Sequence, residues 1–150
     1  MANPQVNEED VIRQLATEIR ILEGSVTALQ SRLDLVRAAI SEVTVAHNTL
    51  EGLKNLQNGD SALIPVGAGS YVRMNVADSK RLVMGIGAGV AMEKDVGSST
   101  EELNGRLQDL EKARTAIQQQ LDQTIIRYQQ DREALDDLLG RRETAPSKTK

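Results

Sequence analysis

Closely spaced glycines are the first feature of this sequence that could bind a ligand. Gly85, Gly87 and Gly89 form a G-x-G-x-G pattern, and glycine-rich loops can cradle phosphate groups with their backbone amides. The dinucleotide-binding pattern is G-x-G-x-x-G followed by a helix, and no helix start follows these glycines within a few residues. A Walker A loop is also missing, because no G-K-[ST] triplet occurs. Hairpin turns, which need positive φ angles, explain the cluster, and we predict no cofactor.

Acids, bases and nucleophiles do not combine into a catalytic pattern either. The sequence has no cysteine and one histidine, His47, so a Ser-His-Asp triad or a multi-histidine metal site is hard to build. His47 is either a ligand or pH sensor, or a polar interruption of a helix seam, and we favour the interruption. Carboxylates adjoin at Glu8-Glu9-Asp10, Glu101-Glu102 and Asp136-Asp137, but adjacent helical residues do not face each other. We predict no catalytic residue, no metal and no enzyme.

Charge and composition exclude further classes of protein. The net charge is −4 and aromatic residues make up 1% of the chain, whereas nucleic-acid-binding proteins are usually basic. The first ten residues are polar and acidic, unlike a secretory signal. The longest apolar run, Leu82 to Met92, has 11 residues and is too short to cross a bilayer. We expect a cytoplasmic protein that binds neither nucleic acid nor a membrane.

A long heptad pattern predicts the first element that would position a functional surface. From Ile12 to Leu50, apolar residues recur at alternating steps of three and four, and only His47 interrupts them. This spacing is typical of a coiled coil. It predicts coiled-coil helix 1 over residues 8–59, with an N-terminal arm at residues 1–7.

A second, weaker heptad pattern lies in the C-terminal third of the chain. Its seam runs from Leu103 to Leu138 and is interrupted by Arg114, Thr124 and Asp131. It predicts coiled-coil helix 2 over residues 98–141 and a disordered tail at residues 142–150. Because the two helices have nearly equal lengths, we expect them to fold back on each other as an antiparallel coiled coil.

The segment between the helices, residues 60–97, has the signature of two β-hairpins. Short apolar runs predict strands near residues 62–66, 70–76, 81–86 and 90–94, and Gly67-Ala68-Gly69 recurs as Gly87-Ala88-Gly89 at an offset of 20. Two isolated hairpins are marginal in water and expose edges that can pair with other chains. The predicted fold class is therefore α+β, mainly α, and the chain is expected to form an oligomer through this segment.

The hairpin segment carries a resemblance to a known family. ALIPVGAGSYVRMNV followed by RLVMGIGAGVAMEKD, set between two heptad helices, resembles the alpha subunit of archaeal prefoldin over roughly residues 8 to 141. The resemblance implies a heterohexamer of two alpha and four beta-type subunits, whose hairpins join into an oligomeric β-barrel platform. It further implies an ATP-independent chaperone, a holdase that captures non-native proteins at the tips of its coiled coils and delivers them to a group II chaperonin.

Two sets of residues follow from this resemblance. Subunit assembly is expected of apolar residues on the strands: Leu63, Ile64, Val66, Tyr71, Val72, Met74, Val76, Leu82, Val83, Met84, Ile86, Val90 and Met92. Client binding is expected at the free ends of the helices: Val6, Val11, Ile12, Leu15, Leu135, Leu138 and Leu139. Because the second seam loses apolar residues in its outer half, we expect this second set to be imperfectly covered.

A structural coiled-coil tether or adaptor for a folded partner is the alternative function. It shares the long helices, but it explains neither a self-assembling β segment nor a weakened outer seam. Preference for a folded partner over denatured proteins would support it. An enzyme is remote, and nucleic-acid binding has only the pairs Lys80-Arg81 and Arg141-Arg142, without aromatic platforms beside them.

Overall fold

The structure, a computed structural model, describes residues 4–144 and has two long helices with four strands between them. In chain order, the elements are α1 (Pro4–Leu53), β1 (Ser61–Gly67), β2 (Ser70–Asn75), β3 (Arg81–Gly87), β4 (Val90–Asp95) and α2 (Val96–Thr144). The strands form two separate antiparallel hairpins, β1-β2 and β3-β4. The predicted mainly helical α+β class is confirmed, and the described part of the single chain contains no closed barrel.

The limits of α1 lie upstream of the predicted ones at both ends. The helix begins at Pro4 instead of residue 8, and proline suits the first turn because an N–H there would lack a helical partner. It ends at Leu53 instead of residue 59, where the chain tightens: the Leu56 amide donates to the Leu53 carbonyl at 3.0 Å. Asn58 belongs to the following loop, and its side-chain oxygen accepts a hydrogen bond from the Ser79 amide at 2.8 Å.

The limits of α2 also differ from the predicted 98–141. The helix begins at Val96, and Asp95 caps it, because Asp95 Oδ2 accepts a hydrogen bond from the Ser98 amide at 3.0 Å. Ser99, which a capping-box pattern with Glu102 would make the N-cap, is instead 0% exposed. The helix continues to Thr144, which makes the start of the predicted tail helical. The rest of that tail, residues 145–150, lies outside the described residues, as do residues 1–3.

One compact unit comprises the described residues of Met1–Val36 and Ala113–Lys150. Its buried core consists of Leu29, Leu33 and Leu121, which are 4–5% exposed. Two polar contacts establish that the helices run antiparallel here: Tyr128 Oη donates to Glu23 at 3.0 Å, and Arg142 donates to Glu9 at 2.7 Å. These contacts pair the start of α1 with the end of α2. The residues facing the seam are those of the heptad pattern, which are buried or half-buried except for the exposed Arg114.

The second compact unit, Arg37–Lys112, contains the hairpins and the adjoining helical turns. Its buried side chains belong to β3 and to the first turns of α2: Met84, Val96, Ser99, Thr100 and Leu103. Thr100 satisfies its buried hydroxyl by donating to the Val96 carbonyl at 2.7 Å. The core of this unit therefore involves one hairpin strand and the first turns of a helix, and it leaves most strand residues outside.

Both hairpins turn through the same loop. In the first, Gly67 pairs with Ser70 across a two-residue loop of Ala68 and Gly69, whose φ angles are 49° and 71°. Two consecutive positive φ angles characterise the type I′ turn, whose twist matches that of antiparallel strands. The second loop repeats this geometry at Gly87-Ala88-Gly89. The glycine clusters are thus hairpin turns, as the sequence predicted.

Candidate functional site

The hairpins expose most of their apolar side chains. Among the residues predicted to assemble subunits, exposure ranges from 43% at Ile64 to 73% at Val83 for all but three. The exposed members are Leu63, Ile64, Val66, Tyr71, Val72, Met74, Val83, Ile86, Val90 and Met92. Large contiguous apolar surfaces of this kind mark places where another molecule binds. The hairpin surface is therefore the main candidate interface of the chain.

Three of the predicted assembly residues are covered by their own chain. Met84 is 8% exposed, and Val76 and Leu82 are half-buried. Leu82 pairs across the ladder with Lys94, whose ammonium group donates to Glu102 of α2 at 2.6 Å. This face of the second hairpin is thus turned towards the first turns of α2. Met84 contributes to holding the hairpin in place and is largely withdrawn from the exposed surface.

Glu102 is the electrostatic link between β4 and α2. Its carboxylate accepts hydrogen bonds from Lys94 and from Arg106. These bonds, that of Lys94 first and that of Arg106 second, hold the pKa of the Glu102 carboxyl below its usual range. The carboxylate therefore remains charged at neutral pH and keeps the second hairpin oriented on the helix.

The edges of both hairpins are open. Because each sheet has two strands, every strand has one edge without a neighbour among residues 4–144. Open edges carry backbone N–H and C=O groups that can add a further strand. Pro65, which cannot donate to a ladder, lies in β1 opposite Tyr71. The exposed apolar faces and the open edges together describe a β unit that is incomplete within one chain.

The predicted client-binding residues lie in the first turns of α1 and the last turns of α2. Val11 is 39% exposed and Leu139 is 42% exposed. Ile12, Leu15, Leu135 and Leu138 face the seam and are half-buried. Val6 belongs to α1, but its side chain lies outside the described residues. The structure thus brings the remaining six to one end of the unit, where the ion pair of Glu9 and Arg142 joins the two helices.

The outer seam contains a buried carboxylate oxygen. Asp131 occupies a seam position of α2, and its Oδ2 atom is buried without a hydrogen-bond partner in the structure. The register given by Glu23 and Tyr128 places Asp131 near the level of Ile19, which is 7% exposed. An unsatisfied buried oxygen beside apolar side chains costs roughly 1–3 kcal/mol. We therefore expect the seam to be weakened at Asp131, in the outer half where the sequence lost apolar residues.

Sequence reasoning missed an apolar group on the opposite side of α1. Ile21 is 64% exposed and Leu35 is 72% exposed, and neither belongs to the heptad seam. An open groove of about 740 Å³ borders Ile21, and Gln14, Thr17 and Arg127 are among its lining residues. The signal that could have found this surface is a second three-four repeat, displaced from the first, which passes through Ile21 and Leu35.

The other candidate groups of the sequence do not converge on a reactive centre. His47 is half-buried on α1, and its Nε2 atom lies 4.0 Å from Glu51 Oε1, one turn away on the same helix. Within the described range, no three His, Cys, Asp or Glu side chains form a group that could hold a metal ion. No helix in that range combines the length and the apolar character needed to cross a membrane.

Two antiparallel helices joined by a pair of β-hairpins, with an unfinished β surface, define a class of coiled-coil assembly subunits. Comparison with known proteins identifies the family within this class. A family model described as prefoldin subunit matches residues 22–141. The chain belongs to the prefoldin family.

The curated relatives specify the branch of the family that this chain resembles. The alpha subunit of Methanopyrus kandleri prefoldin is 37% identical over 77% of this chain and 75% of the relative. That of Methanococcoides burtonii is 30% identical over 92% of this chain and 96% of the relative. A chain of filamentous PFD from Methanocaldococcus jannaschii superposes with a TM-score of 0.46 at 20% identity, covering 89% of this chain and 98% of that one. The similarity to archaeal alpha subunits confirms the resemblance found in the sequence.

Proposed function

We propose that this chain is a subunit of an ATP-independent chaperone that holds non-native proteins. In this proposal, two copies assemble with four beta-type prefoldin subunits in the cytoplasm, bind clients at the coiled-coil tips and deliver them to a group II chaperonin. The observation that carries the proposal is the half-exposed apolar set where the first turns of α1 meet the last turns of α2. The relatives of this chain are prefoldin alpha subunits. No cofactor takes part.

The hairpins supply the assembly surface in this proposal. Their exposed side chains are aliphatic and methionine residues together with Tyr71, and in this proposal they become the inner layer of a larger β structure. Burying apolar surface gains about 25 cal/mol for each Å² removed from water. Strand pairing with neighbouring subunits would satisfy the open backbone edges at the same time. Met84 and the Lys94–Glu102 contact orient the second hairpin before any partner arrives.

The tips supply the client-binding surface. Val11 and Leu139 present apolar area to solvent, and the half-buried seam residues beside them are within reach when the outer turns separate. One tip offers a small patch, because a fully buried Leu or Ile side chain gains only about 1.5–3 kcal/mol. Several arms around one client raise the effective concentration for each further contact. Weak individual contacts therefore sum to retention and still allow release without nucleotide.

The test is the aggregation of a chemically denatured protein, followed by light scattering without nucleotide. The full chain is assembled with a beta-type partner and compared with variants that form the same complex by size. Val11→Ser together with Leu139→Ser is expected to reduce protection several-fold. The matched control, Val45→Ser together with Ile126→Ser, changes side chains that are 64% and 54% exposed but lie away from the tips, and it should protect like the parent.

Two results would count against the proposal. Equal loss of protection by both pairs of substitutions would show that the tips have no special part in client binding. Absence of any protection by the correctly sized complex would refute the holdase function and favour the structural tether. In that case, a pull-down with folded proteins should retain a specific partner that denatured proteins do not displace.

A further inference from the structure

The face of α1 opposite the seam has its own heptad spacing. Ile21 and Leu35, two large apolar side chains, are 64% and 72% exposed on this face. Between them the side chains are small, and a Cβ atom built on Gly24 would have nothing within 4 Å. The residues of this face, which we call the outer face of α1, recur at steps of four and three: Thr17, Ile21, Gly24, Ala28, Ser31 and Leu35. This spacing is the one by which a helix packs along a second helix.

We propose that the outer face of α1 binds the outer face of α1 in a second copy of the chain, with the two helices antiparallel. The two-fold axis passes between Gly24 and Ala28, so that each of these residues faces the other across the contact. At this register Ile21 faces Ser31 of the second copy. Large side chains then lie against small ones, and the helix backbones can approach closely at the centre.

The charges beside the outer face select this alignment. On one flank Glu18, whose carboxylate also accepts a hydrogen bond from Arg127 of its own chain, faces Arg32 of the second copy. On the other flank Arg20 faces Asp34 of the second copy. Two-fold symmetry repeats both contacts, which gives four ion pairs in total. A parallel, in-register alignment would bring together only Arg13 and Glu18. Flanking charges of this kind set the direction and register of helix pairs more than their strength, since an exposed pair contributes about 0–1 kcal/mol.

The groove beside Ile21 matches the same alignment. It has a volume of about 740 Å³ and combines residues of the outer face with neighbours at its flank and on α2; its lining is Arg13, Gln14, Thr17, Glu18, Ile21, Leu22 and Arg127. With the two-fold axis between Gly24 and Ala28, Thr17 is the residue that faces Leu35 of the second copy. The Leu35 side chain therefore enters this groove as a knob enters a hole between helices. The register that pairs the charges also fills the groove.

The contact differs from assembly through the hairpins. In the assembly proposed above, arms that extend from one platform would run in the same direction, so an antiparallel contact joins copies that belong to different assemblies. With two large apolar side chains from each copy, the contact is weak and increases with protein concentration. It does not depend on client binding.

Cysteine cross-linking tests the alignment directly, because the chain has no cysteine. The full chain, assembled with its partner subunits, carries Thr27→Cys and is mildly oxidised at several concentrations. At the proposed register, residue 27 of one copy lies beside residue 27 of the second copy. Disulfide-linked dimers should therefore form, and their yield should increase with protein concentration. Ser41→Cys, also exposed on α1, is the control. Its two copies would lie about 40 Å apart at 1.5 Å per residue, and its yield should be at least tenfold lower.

Two further variants test the direction and the contacts. A mixture of Gln14→Cys and Ala38→Cys should cross-link between the two variants, while neither alone should do so; dimers of each alone would show a parallel contact and overturn the proposal. Leu35→Asp should reduce the Thr27→Cys yield at least tenfold without loss of helix signal. Arg20→Glu should also reduce it, and adding Asp34→Arg should restore it. Equal yields from Thr27→Cys and Ser41→Cys would refute the contact.

Discussion

Replacing Asp131 by leucine is expected to stabilise the compact unit that pairs the start of α1 with the end of α2, which is an unusual result for a single substitution. The change removes a buried carboxylate oxygen that has no partner, and such an oxygen costs roughly 1–3 kcal/mol. It also adds apolar area to the seam, for which full burial of leucine would gain about 1.5–3 kcal/mol. Because Asp131 is only half-buried, the gain should lie slightly below the sum of the lower ends of both ranges, which is about 2.5 kcal/mol. We expect a gain of about 2 kcal/mol, which corresponds to a roughly 30-fold smaller open population.

Native-state hydrogen exchange of the α1 amides between Glu9 and Leu22 measures this opening. The Asp131→Leu variant should slow their exchange about 30-fold, because 1.4 kcal/mol corresponds to a tenfold change in the opening equilibrium. The matched control is Asp137→Leu, the same substitution at an exposed position of α2. There the expected slowing is about twofold, from the higher helix propensity of leucine.

Exchange at the parental rate, or faster, in Asp131→Leu would refute the reasoning that the carboxylate weakens the seam. Equal slowing by Asp137→Leu would assign the effect to helix propensity instead of burial. If client binding uses the separated outer turns, as proposed above, the stabilised Asp131→Leu complex should also suppress aggregation less well than the parent. That measurement addresses the proposed function, whereas the exchange rates address the seam alone.

Three other results are expected. Leu33→Ala should lower the free energy of unfolding by about 3 kcal/mol in urea, since Leu33 is 4% exposed, while Leu35→Ala, at 72% exposure, should change it by less than about 0.5 kcal/mol. Gly87→Ala should cost the hairpin about 1–2 kcal/mol in thermal unfolding because its φ is 108°, whereas Gly85→Ala, which has open space and no positive φ, should not destabilise it. The lowered pKa of Glu102 means that its stabilising contribution is present above its unfolded pKa, about 4.3, and is lost as pH falls through the lower folded value. Carboxyl NMR titration should show this, and Glu102→Gln should remove the contribution of this one carboxylate to the acid-dependent loss of stability.

The seam could be predicted from the sequence because burial along a helix repeats with a known period. All residues between Ile12 and Leu50 that the heptad frame assigned to the seam are buried or half-buried. Helix ends were less predictable, since they depend on single hydrogen bonds. Asp95 and Ser99 could both serve as the N-cap of α2. The hydrogen bond that the Ser98 amide donates to Asp95 Oδ2 makes Asp95 the cap, and Ser99 is buried.

The orientation of the hairpins required the structure. Alternation along a strand divides the side chains into two faces, but it does not say which face its own chain covers. Met84 and Val83 are adjacent in β3, yet they are 8% and 73% exposed. The long-range contact of Lys94 with Glu102 determines the covered face. Ile21 and Leu35 could not be assigned from the heptad pattern for a related reason. A second repeat on a helix adds nothing to the prediction of its fold once the first repeat accounts for the buried face.

The pairing of Glu9 with Arg142 has a consequence for how the chain folds during synthesis. Residues that leave the ribosome first make their contacts with residues that leave it last, whereas each hairpin closes over a span of a few residues. Local contacts form early and distant ones late, and chains are made at about 5–20 residues per second. The hairpins can therefore form while α2 is still being translated. For several seconds of translation, α1 therefore exposes an uncovered apolar stripe. During that time the nascent subunit resembles the non-native chains that it is proposed to hold.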